Sequence, residues 1–329
     1  MRQTGERSRR TTCHIRQGNV NYVVMKPRTA IKSLLAISFW GASFVATKIV
    51  VQQVSPSAVI VLRFALGWSV LMLVCLKRRQ IVRIEGRELL GLALLGLNGI
   101  TVHQLLQANG LVTTSATNSG WIVALIPVFT ALLAWLLARE SFGALKVIGL
   151  CVAAVGALLV ISRGNLAGGL SGLLRVATVG DALMLLSSPN WALFTVLSKR
   201  MMGTKYPPAL MMMYVIGFGW MMVLPLFAVQ RGWTQIPGLS VEGWVSVIFL
   251  GVACSGLAYV FWYDALLEAD ASQVASFLYL EPIVTVVVAA TWIGERVTWA
   301  TLIGGGVILL GVWLVNRPTA TGERSRPEL

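Results

Sequence analysis

Ten stretches of about 20 mostly apolar residues divide this 329-residue chain, at roughly 30 to 52, 57 to 77, 88 to 109, 113 to 137, 144 to 161, 178 to 200, 208 to 229, 243 to 265, 271 to 293 and 299 to 316. Each can cross a hydrocarbon core of roughly 30 Å as a helix, which satisfies its own backbone groups where no water can. A transmembrane barrel would instead alternate apolar and polar residues over segments of about ten. No such alternation runs through the chain, so the expected fold is an all-α integral membrane protein with ten transmembrane helices. Charged residues make up 12% of the chain and apolar ones 56%. A soluble domain carries roughly 25% charged residues and is excluded.

The stretches also repeat. Trp40 to Lys48 (WGASFVATK) and Trp191 to Lys199 (WALFTVLSK) share an offset of 151, which also relates Pro56 to Pro207. From the third helix onward the offset is 155, and it aligns Leu95-Gly96 with Leu250-Gly251, Ala116 with Ala271, Pro127 with Pro282, Glu140 with Glu295, Gly149 with Gly304 and Gly156 with Gly311. Four extra residues between helices seven and eight account for the change. Five helices per repeat is an odd number, so the second repeat must enter the membrane from the opposite side. An inverted repeat of this kind places its site near the midplane, where the halves meet. The expected boundaries are a tail at 1–29, a first repeat at 30–161, a second at 178–316 and a tail at 317–329. Residues 1–24 are polar and basic without a signal-peptide core, and Met25 is a candidate alternative start.

The net charge of +14 follows from topology. With the amino terminus inside, 21 of the 27 Lys and Arg fall on the cytoplasmic side and 4 outside, with Lys48 and Arg63 within helices. The positive-inside rule then puts both termini in the cytoplasm of a bacterial-type inner membrane. Anionic headgroups are the expected partners of this charge; no exposed basic domain exists to bind nucleic acid. The four cysteines (Cys13, Cys75, Cys151, Cys254) and two histidines (His14, His103) build no disulfide framework or metal site. No P-loop, G-x-S-x-G or H-E-x-x-H occurs, so neither ATP-driven work nor catalysis is expected, and no cofactor.

Ten helices in two halves, the Trp and Lys of helices one and six, Leu62-Arg63-Phe64, and the series Pro127…Glu140…Gly149 and Pro282…Glu295…Gly304 resemble the EamA-type members of the drug/metabolite transporter superfamily. Within it the chain is similar to a bacterial exporter of aromatic amino acids that also handles methyl viologen. The resemblance implies an inner-membrane exporter whose cavity is lined mainly by helices one, three, four, six, eight and nine.

Polar residues inside the helices are the candidates for that cavity. His103 shares a helix face with Gly99 and Gln107, a stripe suited to a wet cavity, or to an interhelical hydrogen bond that only glues helices. Glu281 lies near the midplane beside Pro282. It either meets a substrate amine or a proton, or pairs structurally with Arg63; the pair is the favoured reading. Lys48 and Lys199 stand near helix ends, where snorkelling to the interface accounts for them. Asp264, Glu268 and Asp270 form a solvated acidic face or partner the basic loops.

Trp40, Trp121, Trp191, Tyr259, Trp262, Tyr263 and Tyr279 lie inside helices, interleaved with Thr117, Asn118, Ser187, Asn190, Ser255 and Ser276. Rings among hydroxyls and amides suit a planar substrate with a polar end; core packing is the rival explanation. Gly149, Ala153 and Ala157 with Gly304 to Gly306 and Gly311 are small faces expected to pack helices five and ten together. A monomer is favoured, although similar faces could make a dimer. The expected function is secondary export of aromatic amino acids and planar compounds by alternating access, with Pro127 and Pro282 as bending points. Proton-coupled export of other amino acids or drugs, and a non-transporting scaffold, are the alternatives.

Overall fold

The computed structural model describes residues 25–138, 143–165, 176–201 and 205–316; the outer parts of both tails and Glu140 lie outside them. All the regular structure among the described residues is helical. The first helix, α1 (Pro27–Val51), and the second, α2 (Pro56–Lys77), each begin on a proline, whose missing N–H costs nothing at the first helical position. Helix α1 thereby starts inside the tail expected at 1–29.

The third span is α3 (Gly86–Gly96), a π-helical segment Leu97–Val102 and α4 (His103–Thr113). The fourth is α5 (Ala116–Val123) and α6 (Ile126–Ala138), followed by α7 (Ala144–Ile161). The second half has α8 (Val179–Met201) and α9 (Pro208–Val229), then α10 (Val241–Ile248), a π segment Phe249–Leu257 and α11 (Ala258–Glu268). Last come α12 (Ala271–Ser276), a 3-10 turn Phe277–Leu280, α13 (Glu281–Trp292) and α14 (Trp299–Asn316).

Nine of the spans among the described residues are long and apolar enough to cross a membrane. Helix α8, at 23 residues, is long enough but is not among them. Asp181, Ser187, Ser188 and Asn190 make it the most polar of the expected ten, and the first three are completely or almost completely buried. Outward-facing Leu90, Leu94, Val155, Ile303 and Leu310 are exposed, as suits surfaces whose solvent is lipid.

The irregularities repeat with the sequence. The second π segment ends at Leu257, 155 residues after the end of the first at Val102. Regular α-helix is interrupted just before Pro127 and just before Pro282, because a proline supplies no N–H and crowds the preceding turn.

Contacts reciprocate between the halves. Helix α1 packs on the eighth span (α10, the π segment and α11) and on α13, whereas α8 packs on α3, α4, α5 and α6. Around this centre α2 lies against α9, and α7 against α14. The last pair meets through the expected small faces, where a Cβ built on Gly149 would lie 2.7 Å from the Gly311 carbonyl oxygen, and through Gly156, outside the expected set, where one would lie 2.6 Å from that of Gly304. Close backbone approach gains dispersion contacts, the main attraction left between helices whose surroundings are as apolar as they are.

The acidic residues of α11 bind the neighbouring bases. Glu268 accepts from Lys32 at 2.6 Å and Thr29 at 2.8 Å, and Asp264 receives both terminal nitrogens of Arg78 at 2.8 Å. One end of the bundle is thus tied by ion pairs between the start of α1, the end of α2 and the end of α11.

Candidate functional site

At the middle of the bundle the two π segments loosen their helices and the neighbouring side chains take up the backbone groups. Trp40 of α1 donates its indole N–H to the Cys254 carbonyl of the second π segment at 3.1 Å. Asn98 of the first π segment donates to the Asn190 carbonyl of α8 at 3.2 Å, and Asn190 returns a side-chain hydrogen bond to Asn98 at 2.7 Å. π segments of this type are frequent at functional sites because they shift the register of the side chains that follow.

Arg63 is buried, with 6% of its surface exposed. Its Nε donates to Ser255 Oγ and its Nη1 to Gln104 Oε1, both at 3.1 Å, and its guanidinium carbon lies 4.9 Å from the centre of the Phe64 ring. The favoured structural pair with Glu281 is not formed: no ion pair to Arg63 occurs among the described residues. Ser255 and Gln104 stand beside the guanidinium from the two loosened helices and take its donors instead. Glu281 begins α13 directly after the 3-10 turn, partly buried, with no ion pair or side-chain hydrogen bond among the described residues.

Two aromatic groups flank this charge. Trp40 packs on Tyr259 and on Trp262, each at 5.4 Å between ring centres. His103, 4% exposed, lies 4.6 Å from the Trp191 ring, which stacks on Phe194 at 4.7 Å. Gly99 is a glycine because the Phe194 ring occupies the place of any Cβ. The Nδ1 of His103 and the Oδ1 of Asn190 are buried without a hydrogen-bond partner. Gln107 and Tyr263 are partly buried on the same helices.

Other expected site residues lie outside these two aromatic groups. Trp121, 5% exposed, belongs to the cluster between α7 and α14 and packs its ring on Gly305. Asn118 donates to Asp181 Oδ1 at 3.5 Å. Tyr279 accepts from Asn316 at 3.1 Å and packs on the same second cluster, and Ser276 is exposed and bonds within its own turn.

Lys48 does not reach for the interface. Its ammonium donates to the carbonyls of Leu111 and Thr114 at 2.7 Å and of Val112 at 3.4 Å, the groups that α4 leaves unpaired at its end. The Lys199 side chain lies outside the described residues. Two carboxylates complete this junction, and the sequence reading assigned neither a role. Glu295 accepts the amides of Ala116 and Thr117 at 2.8 and 3.0 Å, at the start of α5. Asp181, 1% exposed, accepts from the Thr114 hydroxyl, and from the Thr178 amide and hydroxyl at 2.8 Å. The signal for Asp181 was present as Thr178-Val-Gly-Asp181, a capping-box spacing. No group of His, Cys, Asp and Glu that could hold a metal occurs among the described residues.

The profile of the EamA-like transporter family matches residues 28–162 and again 178–317. An uncharacterized transporter of Archaeoglobus fulgidus is 31% identical over 89% of this chain and 98% of its own length. A probable terminal-alkyne amino-acid exporter of Streptantibioticus cattleyicolor is 27% identical over 91% of this chain and 97% of its own. A solved crystal structure with 18% identity covers 89% of this chain and 99% of that one at a TM-score of 0.57, a likeness of fold. With both halves matched and relatives aligned over nearly their full length, the chain belongs to the EamA-like transporter family and is a multi-pass membrane transporter.

Proposed function

We propose that this transporter carries small planar organic molecules, aromatic amino acids foremost, out of the cell by alternating exposure of the mid-depth site. The observation that supports this most is the placement of two aromatic groups, Trp40–Tyr259–Trp262 and His103–Trp191–Phe194, on either side of a buried guanidinium. The outer faces and edges of rings packed on one another in this way suit an indole or phenyl group, and the polar atoms beside them suit its polar end. The name of the Streptantibioticus relative favours amino acids as the class.

The two halves work as inverted five-helix repeats in a monomer, with both termini on the cytoplasmic side of the inner membrane. Helix breaks before Pro127 and Pro282 let parts of helices four and nine tilt while the rest stays packed. The Lys48–Glu295–Asp181 junction closes the outer end, and the Lys32, Arg78, Asp264 and Glu268 pairs close the inner. Helix α1 carries no carboxylate, and in this reading transport is facilitation down the substrate gradient. Radiolabelled tryptophan, threonine and methyl viologen flux in proteoliposomes tests the reading. Tryptophan flux that falls in Trp191→Ala and His103→Leu supports it; no flux of any of the three rejects it, and uphill uptake driven by a pH gradient rejects facilitation.

A further inference from the structure

The loop that joins α2 to α3 carries more positive charge than its own carboxylates engage. Residues 78–85 separate two membrane spans, one ending at Lys77 and the next starting at Gly86. A link this short stays in the headgroup layer that borders the hydrocarbon core. Ile84 is buried in the main core cluster and pins the loop against the bundle. Arg78, at the start of the loop, is held by Asp264 through both terminal nitrogens at 2.8 Å. Lys205, from the connection between α8 and α9, donates to Glu85 at 2.5 Å and to Glu88 at 3.4 Å, and the Glu85 amide donates to the Tyr206 hydroxyl at 3.4 Å. Arg79, Arg83 and Arg87 are exposed and form no ion pair among the described residues. With Arg78 paired, the four cations Arg79, Arg83, Arg87 and Lys205 stand against the two carboxylates Glu85 and Glu88.

The same surface is apolar between its charges. Ile81 and Val82 are 47% and 45% exposed, and Leu90, one turn into α3, is exposed as well. A cavity of about 520 Å³ opens beside them, lined by Arg83, Ile84, Glu85, Gly86 and Leu89. Two exposed aliphatic side chains among arginines gain nothing in a loop that meets only water. At a lipid surface both kinds of residue are accommodated: the aliphatic side chains enter the acyl boundary, and the arginine stems lie along it while the guanidinium groups reach the phosphates. Basic residues clustered directly beside a membrane span attract anionic lipid. A guanidinium fork also matches a phosphate through two parallel N–H···O bonds, which an ammonium does not.

We propose that the α2–α3 loop is a binding site for an anionic phospholipid of the adjoining leaflet. Arg83, at the cavity, meets the phosphate; Arg79 and Arg87, four residues before and after it, add their charge, and Ile81 and Val82 enter the acyl boundary. This site is separate from the substrate site and stands whatever the transporter carries.

Native mass spectrometry of the purified full-length protein in detergent tests this, with dioleoyl-phosphatidylglycerol, dioleoyl-phosphatidylcholine and glycerol 3-phosphate as probes. Phosphatidylglycerol is expected to be retained at concentrations roughly tenfold or more below phosphatidylcholine. The double variant Arg83→Gln, Arg87→Gln is expected to lose that preference. The double variant Lys26→Gln, Arg28→Gln removes two exposed cations at the start of α1 and is expected to keep it. Equal retention of the two lipids by the wild type, a preference that survives Arg83→Gln, Arg87→Gln, an equal loss in Lys26→Gln, Arg28→Gln, or displacement of the lipid by glycerol 3-phosphate at the lipid's own concentration overturns the proposal.

Discussion

Lys48 and Glu295 hold the two sides of one chain break: the ammonium covers the carbonyls at the end of α4, and the carboxylate covers the amides at the start of α5. Each charge also opposes the helix dipole it meets, a cation at a carboxyl end and an anion at an amino end. Glu295→Gln keeps one acceptor and loses the charge, and Lys48→Met loses all three donors. Hydrogen bonds to charged groups contribute about 1.5–3 kcal/mol each, so Lys48→Met is expected to lower the melting temperature in detergent more than Glu295→Gln does. Equal melting temperatures for wild type and both variants would remove the junction from the stability account.

Trp40 makes two separable contributions. Trp40→Phe keeps a ring beside Tyr259 and loses the hydrogen bond to the Cys254 carbonyl, which is worth about 0.5–1.5 kcal/mol. Trp40→Ala loses the ring contacts too, about 0.5–1.5 kcal/mol per aromatic pair beyond area. Half-saturating tryptophan concentration is expected to rise in the order wild type, Trp40→Phe, Trp40→Ala; an unchanged value in Trp40→Ala removes the ring from the site.

The small faces of α7 and α14 leave no room for a side chain. Gly311→Leu drives a branched side chain into Ala153 and the Gly149 carbonyl, a steric conflict of several kcal/mol on the scale of overpacked cores. The expected result is loss of the monodisperse peak in size-exclusion chromatography, whereas Gly306→Leu, with nothing within 4 Å of its Cβ, retains it.

The ion pairs between Lys32, Arg78, Asp264 and Glu268 are partly exposed, and such pairs contribute about 0–1 kcal/mol. Asp264→Asn is therefore expected to move the melting temperature little. The proposed function gives these pairs the closing of the inner end, so the variant is expected to expose α1 cysteines introduced near Lys32 to maleimide labelling faster than wild type. Equal labelling rates would show that these pairs do not close that end.

The elements legible in the sequence are those set by residues acting over their own neighbourhood. Runs of apolar residues announce the spans, Pro127 and Pro282 the breaks, and Gly149, Ala153, Gly304 and Gly311 the close pair α7–α14. What stayed hidden depends on partners far along the chain. Arg63 and Glu281 sit at depths that suggest a pair, yet Gln104 and Ser255, 41 and 192 residues away from Arg63, take its donors. Asn118 has Asp181, 63 residues on, as a hydrogen-bond partner that its own neighbourhood does not announce. A lysine near a helix end reads equally as snorkelling or as a cap, and only the end of α4 beside Lys48 decides it. The π segments carry no proline or glycine signature that sets them apart from other glycine-bearing helices.

Counterflow measures the central claim most directly. On the proposed alternating exposure of one mid-depth site, proteoliposomes loaded with unlabelled tryptophan and diluted into a trace of labelled tryptophan should accumulate label transiently. The wild type is expected to show the overshoot, and a Trp40→Ala, Trp191→Ala double variant that still elutes as a folded protein is expected to lose it. No overshoot above protein-free liposomes, or an overshoot untouched by removal of both rings, would contradict the account.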